Sequence, residues 1–148
     1  MTKQYHCIIT SEDITTNQAI PYVESNAHGA ACHFVGIVRD HNHGRDVVGI
    51  DYEVCEPLAT NILNQIAEET ISRFPEAKMY ISHYVGFLNV GETSMLVSTS
   101  TPHRDEAYKA NRYIVEAIKQ RCPVWKKEHY ADNSIEWVKG CKIKHEHL

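Results

Sequence analysis

Gly29-Ala-Ala-Cys-His-Phe-Val-Gly-Ile-Val38, then Arg39-Asp-His-Asn-His-Gly-Arg-Asp46, then Val47 to Val54, is the stretch on which the fold turns. The first part is small and β-branched and reads as a buried strand. The last part reads as a second strand, and the wholly polar segment between them as the long tip of a hairpin. Eight polar residues exceed the usual hairpin loop, and long loops often carry function. A hairpin here, in place of a strand–helix–strand crossover, points away from a doubly wound parallel sheet.

Outward from this stretch the same pattern continues. Residues 5–10 read as a first strand, and residues 14–25 as a short helix interrupted by Pro21. Pro57 suits the first turn of a long helix. Its apolar face comprises Ala59, Ile62, Leu63, Ile66, Ala67, Thr70, Ile71 and Phe74, and it stops before Pro75. Residues 78–85 and 92–100 read as strands separated by a turn region, Gly86 to Gly91. A second long helix opens at Thr101-Pro102, with Thr101 as N-cap and Pro102 at the first helical position. Its stripe is Ala107, Ala110, Ile114, Ala117 and Ile118, and Cys122-Pro123 ends it. Residues 123–130 and 134–138 form a last hairpin around Asp132-Asn133, and the polar tail from Lys139 is read as loose. The order β-α-β-β-α-β-β-α-β-β predicts an α+β sandwich with two long helices. At 148 residues the chain is expected to be one domain, 1–148.

Composition narrows the function. Hydrophobic residues make up 43% and charged residues 23%, which is globular and not disordered. Fifteen Lys and Arg against nineteen Asp and Glu leave a net charge of −4, which predicts no general affinity for nucleic acid or an anionic membrane. No apolar run approaches the ~20 residues of a membrane span. Met1 to His6 lacks the apolar core of a signal peptide, so a cytoplasmic location is expected. The five cysteines are scattered without a CxxC, so neither a disulfide framework nor a thiolate zinc site is suggested. The pair His41 and His43 would need His33, His83 or His103 to make a zinc site, and no third ligand stands at a recognisable spacing. No bound metal is expected.

Three groups of residues stand out chemically. His103 and Arg104 begin the second long helix, where free N–H groups and the helix dipole favour an anion; Asp105 and Glu106 also explain Arg104 as a balanced surface charge. Arg39 ends the buried strand and is either an anion clamp or the partner of Asp40 or Asp46. Lys119, Arg121, Lys126 and Lys127 put four cations within nine residues of an acidic chain. Lys119 lies on the polar helical stripe, where a lysine normally faces solvent. Lys126 and Lys127 point to opposite faces of a strand, so one can face a pocket. Clustered amines depress one another's pKa, and a partly neutral amine can act as base or nucleophile.

Taken together, Gly36-Ile-Val-Arg39-Asp-His-Asn42-His-Gly44, Gly86-Phe-Leu-Asn-Val-Gly91-Glu92, Thr101-Pro-His103-Arg104-Asp-Glu-Ala107 and Lys119-Gln-Arg121-Cys-Pro123-Val-Trp125-Lys126-Lys127-Glu128 resemble the large, catalytic subunits of molybdopterin synthase. The likeness runs from about Gly29 to Val138. It implies an α+β hammerhead-type sandwich with a mostly antiparallel sheet. It further implies a homodimer that binds a small ubiquitin-like sulfur-carrier subunit at each end, a heterotetramer. Thiocarboxylates on the C-terminal Gly-Gly of the carrier, one sulfur from each carrier molecule, supply the two dithiolene sulfurs to cyclic pyranopterin monophosphate, and no cofactor takes part. By position, the resemblance makes Lys119 and Lys126 catalytic and assigns substrate binding to Arg39, His103, Arg104, Lys127 and Glu128. At Lys127 arginine is common in the family, and lysine keeps the charge without the bidentate fork. The other reading is a non-catalytic module that grips a phosphorylated ligand or an acidic C-terminus. It would need Arg39 and Arg104 but not Lys119.

Overall fold

The computed structural model describes residues 3–139. The chain runs β1 (Tyr5–Thr10), a 3₁₀ turn (Thr16–Gln18), α1 (Ile20–Val23), β2 (Ala30–Ile37), β3 (His41–Asn42), β4 (Arg45–Val54) and α2 (Glu56–Arg73). It continues through β5 (Lys78–Tyr84), β6 (Gly86–Asn89), β7 (Thr93–Thr101), α3 (Arg104–Arg121), β8 (Val124–Tyr130) and β9 (Ile135–Lys139). The tail expected to be loose lies, past Lys139, outside the described residues.

The strands divide between two sheets. One has the order β1-β5-β7-β2, in which only the β1–β5 pair is parallel. The other has the order β3-β4-β8-β9, with β6 on the free side of β4, and is antiparallel throughout. This is the α+β, mostly antiparallel architecture with two long helices that the sequence predicts. The two helices lie on one face of the first sheet: α2 packs on β1 and α3, and α3 packs on β7 and β2. Strand alternation then sorts the side chains. Met79 and Ile81 of β5 and Met95 and Val97 of β7 enter the main core with Leu63, Ile66 and Ile114. Tyr80 and Leu96 point the other way and join Ile14, Ala19 and Val23 in a smaller core under α1.

The predicted hairpin between residues 29–38 and 47–54 does not form. β2 pairs with β7 in one sheet, and β4 pairs with β6 and β8 in the other. The polar tip contains its own hairpin, with His41 opposite Asp46 and Asn42 opposite Arg45. Its two turn residues, His43 and Gly44, both have positive φ, 50° and 77°, the backbone of a two-residue type I′ turn. Two further boundaries move. Gly86–Asn89 is a strand and not a turn, because Gly49 on β4 leaves room for it: a Cβ there would stand 2.8 Å from the Leu88 carbonyl oxygen. Thr101 closes β7, and α3 is capped by His103 in an extended conformation (φ −127°, ψ 153°), so Pro102 precedes the helix. The Thr101 hydroxyl donates to the His103 carbonyl at 2.5 Å, which draws this connection tight.

The helices are tied at one side by Glu69, which accepts from both Arg121 guanidinium nitrogens (2.7 and 2.9 Å) and from the Tyr113 hydroxyl (2.6 Å). The Arg121 and Tyr113 hydrogen bonds hold the carboxyl at about 2, below its ordinary 4.5. The pair is partly exposed, so Glu69→Gln is expected to lose only about 0.5–1 kcal/mol in urea unfolding at neutral pH. An acid held low in the fold stabilises above its unfolded value and loses that contribution as pH falls through the folded one. The difference between wild type and Glu69→Gln should therefore shrink between pH 4.5 and about 2.

Candidate active site

β8 is where the alternation of faces becomes chemistry. Val124, Lys126, Glu128 and Tyr130 point inward, while Trp125, Lys127 and His129 take the other face. Lys126 and Val124 line a cavity of about 330 Å³ that opens where the two sheets meet, beside the last turn of α3. β2 contributes Phe34 to Ile37 to its wall, and Arg39 follows at the rim. β4 contributes Tyr52, β5 His83, β7 Ser94 and Met95, and α3 Ile118 and Lys119. The backbone beside Arg39 is pinned by Val38, whose N–H donates to the Glu92 carbonyl and whose carbonyl accepts from Gly91 N–H.

Three cations, Arg39, Lys119 and Lys126, thus meet in one cavity from a loop, a helix and a strand. No carboxylate is among its lining residues. Burial, first, and then the positive charges of Lys119 and Arg39 push the Lys126 amine below its ordinary value; Glu128 partly opposes them. The neighbour that matters is Lys119, not the adjacent Lys127. Lys119 itself remains exposed on the helix within this chain. Arg39 is exposed too, and Asp40 pairs instead with His41 at 2.8 Å.

The remaining site residues of the sequence reading lie elsewhere. Lys127 faces outward over the Trp137 ring, 4.9 Å from its centroid. Glu128 is buried behind the cavity, where its carboxylate accepts from Asn42 Nδ2 (3.0 and 3.1 Å) and the Tyr130 hydroxyl (2.7 Å). His103 and Arg104 are exposed at the opposite end of α3 from Lys119. Fifteen residues of helix separate Arg104 from Lys119, a rise of about 22 Å. One chain therefore cannot bring both to one small ligand. His103 borders a second, smaller cavity of about 220 Å³ with Phe74, Pro102 and Glu106. Among the described residues no three His, Cys, Asp or Glu side chains converge as a metal site.

Two cavity residues were not singled out from the sequence as part of an anion site. Tyr52 is buried, its ring 6.0 Å from the Lys126 Nζ and 5.6 Å from the His83 ring. His83 is buried on β5, on the same face as Met79 and Ile81. The alternation of residues 78–85 carried that signal, since a polar ring in register with two core residues must find a partner or a cavity.

Comparison with known proteins places this geometry in a family. The family model described as MoaE protein matches residues 9–121. A molybdopterin synthase catalytic subunit from Bacillus subtilis is 39% identical over 130 residues, covering 88% of this chain and 82% of that protein. One from Pyrococcus abyssi is 40% identical over 129 residues, covering 87% and 86%. The crystal structure of molybdopterin synthase from Staphylococcus aureus superposes with a TM-score of 0.83 at 34% identity, covering 93% of this chain and 98% of that one. A match over most of the length, in sequence and in fold, leaves one assignment: the chain belongs to the MoaE family.

Proposed function

We propose that this chain is the catalytic subunit of a molybdopterin synthase. It transfers sulfur from the C-terminal Gly-Gly thiocarboxylate of a small ubiquitin-like carrier subunit to cyclic pyranopterin monophosphate, forming the dithiolene of molybdopterin. The observation that carries this reading is the cavity in which Arg39, Lys119 and Lys126 meet without a carboxylate. Both reactants are anionic, one a cyclic phosphate and the other a thiocarboxylate. A cationic, partly dehydrated cavity attracts both and holds them together.

Each residue then has a task. Arg39 at the rim takes the phosphate. Sulfur attack on the pterin side chain, opening of the cyclic phosphate and loss of water require proton transfer and stabilised oxyanions. Lys126, with its lowered amine, is suited to move the proton, and Lys119 to hold the developing negative charge. Glu128 acts from behind by fixing the strand that carries Lys126, and Lys127 adds positive charge on the outer face. His103 and Arg104 reach the substrate from the second subunit of a homodimer, which resolves their separation from Lys119. One carrier at each end completes a heterotetramer. No helix among the described residues is long and apolar enough to cross a membrane, and the reading puts the reaction in the cytoplasm.

The test is dithiolene formation from cyclic pyranopterin monophosphate and a thiocarboxylated carrier. Wild type should convert the substrate, and an inert wild type with authenticated reactants removes the reading. Mixing inactive Lys126→Ala with inactive Arg104→Ala and allowing subunits to exchange should restore about a quarter of wild-type activity, because half the dimers are mixed and each mixed dimer has one intact shared site. No recovery after proven exchange would exclude a shared site.

A further inference from the structure

The cavity wall holds two buried titratable groups to which the sulfur-transfer scheme gives no task, Tyr52 and His83, and of these His83 carries the ring nitrogen. His83 is 6% exposed, and its ring lines the cavity beside Tyr52. Its Nδ1 lies 2.9 Å from the Tyr84 carbonyl oxygen. A carbonyl can only accept, so Nδ1 carries the hydrogen. In a neutral imidazole that leaves Nε2 as an acceptor. The groups facing the ring favour neutrality. Burial first, then Lys126 and Lys119, push it down to about 4 despite the Tyr84 contact. Protonation would add another cation to a cavity already holding three.

The rest of the wall is poor in acceptors. Arg39 only donates, as do Lys119 and Lys126 when charged. Besides the hydroxyls of Tyr52 and Ser94, the latter donating to the Gly36 carbonyl at 3.3 Å, no other side-chain nitrogen or oxygen on the rest of the wall can accept. Three cations will hold any small phosphate or carboxylate, so they give affinity without choice. A pterin differs from other small anions in its ring N–H groups, which need an acceptor.

We propose that His83 is the hydrogen-bond acceptor of the substrate cavity, taking an N–H of the bound pterin at Nε2 and so selecting it among anionic ligands. The inference rests on the reading of this cavity as the pterin site. A site that hydrogen-bonds a substrate N–H rejects analogues lacking it far better than an apolar or purely ionic wall does.

The experiment uses the full chain with thiocarboxylated carrier and compares His83→Phe with His83→Gln. Phenylalanine keeps the ring volume and removes the acceptor; glutamine returns an amide oxygen near the position of Nε2. With unchanged thermal unfolding, His83→Phe should raise KM for the cyclic pyranopterin at least about ten-fold, and His83→Gln should stay within about three-fold of wild type. A second readout is independent of turnover. In ¹⁵N-histidine-labelled wild type at neutral pH, His83 should show a protonated Nδ1 and a bare Nε2. Cyclic pyranopterin monophosphate added without carrier should move the Nε2 resonance toward the hydrogen-bonded range. The inference is overturned if His83→Phe retains wild-type KM, if both variants are equally impaired, or if bound pterin leaves Nε2 unmoved. Failure of wild-type turnover would instead remove the synthase reading, and the nitrogen resonance would still decide whether His83 meets a bound pterin.

Discussion

Alanine in place of Lys126 is expected to lower dithiolene formation by about 10³-fold while leaving carrier binding intact, within the range seen when a proton-transfer group is removed. Lys119→Ala is expected to lose less, about 10²-fold, as for one donor to a developing oxyanion. The difference follows from where the two amines sit. Lys126 is half-buried between the sheets, and its amine is lowered by that burial and by Lys119. Lys119 stands exposed at the cavity mouth. If Lys126 takes a proton, kcat/KM should rise with pH through a value below the ordinary 10.5 of a lysine. Lys126→Arg separates charge from proton transfer, since guanidinium keeps the first and cannot perform the second. Near-wild-type turnover in Lys126→Arg would show that charge alone suffices.

Glu128→Ala is expected to destabilise the protein by about 2–3 kcal/mol, read as a fall in the urea midpoint with an unchanged m value. The carboxylate is 5% exposed and satisfies Asn42 and Tyr130 together. Tyr130 is itself 5% exposed, with the Arg45 guanidinium 3.5 Å from its ring centroid. Arg45 in turn reaches Glu136 at 2.8 Å and Ser134 at 2.5 Å. Removing the carboxylate strands the buried Tyr130 hydroxyl and the Asn42 amide, and leaves Arg45 and the Asp46–Ala131 backbone bond to hold the β3–β4 turn to the β8–β9 hairpin. Glu128→Gln keeps one acceptor and should lose about 1 kcal/mol. Because Glu128 opposes the lowering of Lys126, the glutamine variant should also shift the ascending limb of the pH profile further toward acid. Wild-type stability in Glu128→Ala would show that this network carries no strain-bearing role.

Periodicity made the two long helices legible because each has one continuous buried face: Leu63, Ile66 and Ala67 in α2, and Ala110, Ile114 and Ile118 in α3 are all buried. The longer strands were legible as strands and the β8–β9 hairpin was legible as a pair, but Gly86–Asn89 was not legible as a strand, nor were the partners of β2 and β4. Alternation says which face of a strand is buried and is silent on which strand lies beside it, so adjacent β2 and β4 suggested a hairpin although they belong to different sheets. The turn at His43-Gly44 was hidden inside a polar run that looked like one loop. The site divides in the same way. Lys126 facing a pocket follows from the strand period, whereas the meeting of Arg39, Lys119 and Lys126 depends on tertiary packing. The resemblance named Lys119 and Lys126 alike, but the lowered amine belongs to Lys126, because burial is a property of the folded chain. His83 read only as a spare metal ligand, since nothing local to it reveals the cavity beside it.

The pairing of β1 with β5 has a consequence for how the protein comes into being. Tyr5 lies opposite Met79, Ala30 opposite Thr101 and Glu53 opposite Trp125. Such long-range pairing slows folding, because loop closure is paid for before contacts reward it. On the ribosome, at about 5–20 residues per second, β1 waits roughly 4–15 s for its partner to be made. Through that interval its edge is open to other chains. The second sheet waits about as long, since β4 gains its main neighbour only when Val124–Tyr130 has emerged. A nascent chain stalled before that strand has neither Lys126 nor the wall that gathers the cations, so the capacity for chemistry arrives only once Val124–Tyr130 has been made.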